Sequence, residues 1–189
     1  YVDVSMPGYV VSTLERLQHK IPARPQFAPH QWTQPAYGQK VQMAPIDDSP
    51  QLDATNTKYV QSCVGSLLYY ARSVHSTMLP AIHEISCQQS APTVNTMKAC
   101  RMLMDYASTY PTAIIRYHAS DMVLHIDSDA AYLVLPNARS RYAGHYFLSN
   151  TPPPHPAKPN PKPNGAVLTI CKTFGGVLAS AAETETGGV

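Results

Sequence analysis

In the segment Leu124-His-Ile-Asp-Ser-Asp-Ala-Ala-Tyr132, Asp127 and Asp129 stand two residues apart at the end of a β-prone run. The period of a strand puts both carboxylates on one face. Two like charges held together are costly unless a cation or hydrogen-bond donors compensate them. The pair therefore reads either as part of a divalent-metal site or as two caps on the turn after the strand. A second acidic pair, Glu183 and Glu185, opens the last predicted helix. Ser180-Ala-Ala-Glu183 has the spacing of a capping box, in which Glu183 reaches back to the Ser180 amide. Glu185 has no such task and is the better candidate ligand.

The elements that must position these acids follow from periodicity. Ser5-Met6-Pro7-Gly8, followed by Tyr9, Val10, Leu14 and Leu17, predicts a helix capped near Ser5 and ending near His19. Prolines at 22, 25, 29, 35, 45 and 50 make residues 20–54 an extended, partly ordered connector, which Trp32 and Tyr37 could pin to a neighbouring surface. Apolar residues at three- and four-residue steps predict helices over 55–74, 76–89 and 93–109. After Pro111 the pattern changes to short β-prone runs at 113–118, 122–128, 142–149 and 166–173, a meander of three or four strands. The loop 151–165 is polyproline-like and should project from the fold. The fold class is α+β, with a helical segment over 1–110 and a mixed sheet over 111–189.

Composition narrows the class without naming a partner. With 189 residues, 44% of them hydrophobic, the chain can bury a core. Fourteen basic and 12 acidic residues leave a net charge of +2, which does not by itself announce a nucleic-acid binder. Cys63, Cys87, Cys100 and Cys171 form no C-x-x-C pair and lie in apolar stretches, as buried free thiols of a reducing compartment would. The eight histidines show no H-x-x-x-H spacing, which speaks against structural zinc. No apolar run approaches the roughly 18 to 20 residues that span a bilayer, and the expected location is cytoplasmic or nuclear. Both ends read as cut, so an internal fragment is expected.

Several motifs in order carry a family resemblance. Val60-Gln-Ser-Cys-Val-Gly-Ser-Leu-Leu-Tyr-Tyr70, the helix around Met97 to Met104, Ser128-Asp129-Ala-Ala-Tyr132, Ala138-Arg-Ser-Arg141-Tyr-Ala-Gly144-His-Tyr-Phe147 and Ala179-Ser180-Ala-Ala-Glu183-Thr-Glu185 resemble the copia-type retrotransposon polyprotein. The matching region runs from the end of the reverse transcriptase through the connection into ribonuclease H. Met6-Pro7-Gly8-Tyr9-Val10 resembles the segment after the polymerase palm, and the likeness covers nearly the whole chain.

The resemblance implies a helical connection followed by the opening half of a ribonuclease H-like sheet. It also implies cleavage of the RNA strand of an RNA–DNA hybrid by two Mg²⁺ ions held by four carboxylates. Asp129 matches the family's first-strand acid and Glu185 its first-helix acid, with Asp127 the alternate for the first. Arg139 and Arg141 are candidates for the hybrid's phosphates, an alternative to an ordinary solvated face, and Lys158, Lys162 and Lys172 would extend that path. The remaining two acids would follow the last residue here and the polymerase aspartates would precede the first. The chain alone is thus expected to be inactive unless other polyprotein segments or a host complex supply the missing acids. The competing expectation is a domesticated, non-catalytic interaction or structural protein that uses the sheet and the Pro-rich loop as a binding surface. The Gly-Gly ending replaces expected aliphatic residues and weakens the last helical turn by about 1 kcal/mol per glycine relative to alanine.

Overall fold

The computed structural model describes residues 1–31, 43–151 and 161–188. Trp32, Tyr37, Lys158 and most of the projecting loop lie outside them. The chain is α+β and divides into two compact units. One comprises the described residues of 5–41 and 45–113, the other residues 1–4, 43–44 and those from 114 onward.

The first unit is helical. Helix α1 (Tyr9–Arg16) begins after Gly8, whose φ of 78° is the left-handed conformation that glycine adopts without strain. Ser5 is therefore not its cap. Pro7 disfavours helical geometry at Met6, and Ser5 belongs to the preceding strand. Helix α2 (Ala54–Ser73) is capped by the Asp53 side chain, which accepts from the Asn56 amide at 2.7 Å. The stretch expected as a helix over 76–89 starts as a 3₁₀ turn, Ser76–Met78, and continues as α3 (Leu79–Ser86), with Pro80 in the first turn where no amide is needed.

Helix α4 (Val94–Thr109) opens on a reciprocal cap. The Thr96 amide donates to the Thr93 hydroxyl at 3.2 Å, and the Thr93 amide donates to the Thr96 hydroxyl at 3.0 Å. Helices α2, α3 and α4 pack pairwise, and Leu67, Ile82, Leu103 and Met104 between them are at most 1% exposed. The described end of the connector is fixed rather than loose. Leu52 donates to the Pro92 carbonyl and Val94 to the Pro50 carbonyl, both at 2.9 Å.

Among its described residues the second unit holds two sheets. Strand β1 (Val2–Ser5) pairs with β2 (Ile114–Tyr117). Strands β3 (Val123–Leu135), β4 (Arg139–Ser149) and β5 (Ala166–Thr173) form an antiparallel meander in that order. The meander therefore has three strands, because β2 takes a partner more than 100 positions earlier in the chain, which local patterning cannot reveal. Strand β3 runs beyond the expected end at Ser128. Its ladder with β4 is regular from Val123↔Ser149 to Ala131↔Arg141 and then shifts register, with Leu133 at a φ of 53° and its amide held by the buried Ser140 hydroxyl at 3.0 Å.

Helix α5 (Ala181–Gly187) lies on this sheet. Its glycines have a packing reason. A Cβ at Gly188 would stand 3.3 Å from the Tyr142 Cβ and 3.6 Å from the Ala130 Cβ, and one at Gly187 would stand 3.0 Å from the Phe174 ring.

Among the cysteines, Cys63 and Cys100 are buried as expected, but Cys87 is exposed and Cys171 half-buried. Cys87 sits at the end of α3, and Cys171 lies on an outer strand of the meander.

Candidate functional site

Asp127 and Asp129 lie within the regular part of β3, opposite His145 and Ala143 of β4. They do not cap a turn after the strand, because the strand continues past them. Both are exposed, and Asp129 Oδ1 accepts a hydrogen bond from the Ala130 amide at 2.9 Å. Their face of the sheet also carries His125, Phe147 and Arg141, by the same alternation. The Phe147 ring, 1% exposed, lies 5.6 Å from the His125 ring and 5.3 Å from the His145 ring. His125 and His145 were not singled out in the sequence. The signal was there in parity and hairpin register, which places His145 beside Asp127 once the two strands are paired.

Glu183 and Glu185 are both exposed on α5. Glu183 makes a cap, but its Oε2 accepts from the Ala179 amide at 2.7 Å rather than from that of Ser180, while Ser180 Oγ accepts from the Glu183 amide at 3.1 Å. The contacts of Gly188 seat α5 on the face of Ala130 and Tyr142. Strand alternation turns Asp127 and Asp129 to the opposite face. The pleat thus does not aim Asp129 and Glu185 at a common point. Among the described residues no group of three or more His, Cys, Asp and Glu side chains could hold a metal ion. The donor set present does not fit a pair of Mg²⁺ ions, each of which needs several oxygen ligands in near-octahedral geometry.

Arg139 is half-buried, and its Nη2 donates to the Phe174 carbonyl at 2.6 Å, tying the start of β4 to the residue after β5. That guanidinium has a structural task. Arg141 shares the face of Asp127 and Asp129, so the sheet presents both signs of charge rather than a basic track. Lys162 and Lys172 are exposed. No helix is long and apolar enough to cross a membrane among the described residues. No family model, no curated protein and no solved structure matches the chain.

Proposed function

We propose that the chain is a segment of a retrotransposon reverse transcriptase and ribonuclease H. In this reading the helical unit is the connection and the sheet unit is the opening half of a ribonuclease H-like domain. The observation that carries it is the order of elements in the second unit: an antiparallel β3-β4-β5 meander with Asp129 on its first strand, followed by a capped helix that bears Glu185 and packs on the face opposite Asp129. The ancestral role is metal-dependent cleavage of RNA in an RNA–DNA hybrid, in the cytoplasm or nucleus. The chain by itself does not cleave, because two acids on different elements cannot stabilise both the attacking and the leaving oxygen. The test is incubation of the folded chain with a labelled hybrid and Mg²⁺ or Mn²⁺. No cleavage is expected. Cleavage that disappears in Asp129→Asn would mean that a second copy of the chain completes the site.

A second reading is favoured by one feature of the sheet. Leu124, Ile126 and Leu168 are 55%, 44% and 51% exposed on the face that α5 covers only in part. Such a contiguous apolar face suits a non-catalytic interaction or structural role within a host complex. Here Ile126→Lys abolishes association with partners while leaving the fold intact, as read by sedimentation and circular dichroism.

A further inference from the structure

Strand β3 is one edge of the three-stranded sheet, and among the described residues nothing pairs with its outer side from Val123 to Asp129. Beyond that stretch the backbone is engaged: the Ala130 amide donates to Asp129 Oδ1 at 2.9 Å, and the Val134 carbonyl accepts from the Ala44 amide at 3.2 Å. Every residue of the stretch is exposed except the half-buried His125, and Val123, Leu124 and Ile126 are apolar. An exposed edge strand of this length is a template for pairing with another chain. The other edge strand, β5, is guarded by a register shift between Tyr146 and Phe147 and by Lys172. The stretch of β3 has no proline, no lysine and no bulge.

We infer that β3 pairs antiparallel with β3 of a second copy of this chain about a two-fold axis at Ile126, giving one continuous sheet with three strands from each copy. A two-fold axis perpendicular to the sheet keeps its two faces in common, so each register is defined by the residue that lies opposite itself. Centring on Asp127, Ser128 or Asp129 sets aspartates directly opposite one another, which is destabilising. Centring on Leu124 or His125 brings Asp121, just before the strand, against Asp127 or Asp129. Centring on Val123 leaves most of the stretch unpaired. Ile126 is the remaining centre. It sets His125 opposite Asp127 of the second copy, and symmetry makes that contact twice. On the other face Ile126 meets Ile126, with Leu124 of each copy diagonally beside the pair.

The surroundings of His125 suit this contact. Its Nε2 lies 3.1 Å from the Asn150 carbonyl, which only accepts, so Nε2 carries a proton and Nδ1 is left for a carboxylate across the edge. Protonation makes Nδ1 a second donor, so the pairing favours the imidazolium and the dimer tightens as the pH falls from neutral. Within its own copy His125 faces the Phe147 ring of β4, with His145 diagonal to it on β4 and Asp127 beside it on β3. His145 lies opposite Asp127 and titrates as well, and His125→Lys separates the two, since it fixes the charge at position 125 and keeps His145. The inference shares Ile126 with the interaction reading but needs no other protein, so its failure would leave both that reading and the nuclease reading standing.

The experiment is sedimentation of the purified chain over a range of protein concentration, from about pH 8 down to about pH 6. A monomer–dimer equilibrium that tightens with falling pH is expected. His125→Asp should raise the dimer Kd about tenfold, and adding Asp127→Lys, which exchanges the two charges, should bring it back. His125→Lys should tighten the dimer and remove its pH dependence. Mild oxidation of Ile126→Cys should give a disulfide joining position 126 of the two copies, read by non-reducing peptide mapping, while Ser128→Cys should give none to itself. A chain that sediments as a monomer at every concentration would overturn the proposal. So would a Kd indifferent to His125→Asp or not restored by the charge exchange, or self-linking at position 128 as ready as at 126. Where His125→Asp does not fold, Asp127→Lys alone sets a cation against His125 and should weaken the dimer to a similar degree.

Discussion

The Arg116 guanidinium grips the Asp3 carboxylate with two hydrogen bonds, Nε to Oδ1 at 2.7 Å and Nη2 to Oδ2 at 2.8 Å, across 113 positions of the sequence. The same guanidinium stacks 4.1 Å from the centre of the Tyr1 ring. Both charges are partly exposed, so the pair positions β1 more than it stabilises the unit. Arg116→Ala should raise amide exchange in Val2–Ser5 while leaving β3 to β5 unchanged. The difference should shrink in high salt, as screening predicts. Equal exchange in the two proteins would mean that the backbone ladder alone holds β1.

Asp47 gives the helical unit an acid-sensitive clasp. Its carboxylate accepts from the Thr93 hydroxyl, from the Ser49 amide at 3.0 Å and from Asn95 Nδ2 at 3.0 Å. The Thr93 bond and then the Ser49 amide pull its pKa from the ordinary 3.8 down to about 2. A depressed folded pKa means that this stabilisation is complete above 3.8 and is lost as the pH falls toward about 2. Thermal unfolding of Asp47→Asn should accordingly lose less stability than the parent over that window. Parallel curves would remove Asp47 from the acid response. Thr93→Ala breaks the helix cap as well and should cost about 1 kcal/mol more at neutral pH.

Gly188 lets α5 approach the sheet. The larger Gly188→Val side chain meets Tyr142 and Ala130 and should destabilise the docked helix by about 1–3 kcal/mol through overpacking. Amide exchange should speed up in Ala181–Gly187 and stay constant in α2. Unaltered exchange in α5 would show that the helix docks through other contacts.

Among the described residues of the sheet unit, Phe147 is the largest fully buried side chain. Phe147→Ala should cost about 3–5 kcal/mol and should also free the imidazoles of His125 and His145 that flank the ring. Denaturant unfolding followed by exchange in β4 measures the first effect. Histidine proton resonances that do not move on substitution would contradict the second.

How much of this was legible in the sequence differs between elements. Helices α2 and α4 were readable to within a residue at each end, because their apolar spacing is a local signal. Strand β5 and the start of α5 at Ser180 were readable from a β-prone run and a capping-box spacing, while β4 begins at Arg139, three residues before the expected run. Strand β3 was not readable to its end, since its extension to Leu135 depends on pairing with β4 and on the Ser140 hydroxyl holding the Leu133 amide.

For the candidate site, the sequence determined the residue types and, through period two, that Asp127 and Asp129 share a face. Only the tertiary structure decided which face. That choice was made by the packing of Gly188 on Ala130 and Tyr142, and it separates the strand acids from the helix that carries Glu185. The same holds in the helical unit, where Cys63 and Cys100 read as two unrelated core thiols. Both are fully buried in the folded unit, and the links of His19 to Asp105 at 2.8 Å and to Tyr59 at 3.4 Å exist only because residues far apart in the chain are packed together. Local propensity acts over one turn or one hairpin. Whether a side chain gains a neighbour from 40 or 80 residues away is set by which faces are buried together, and that is a property of the folded chain.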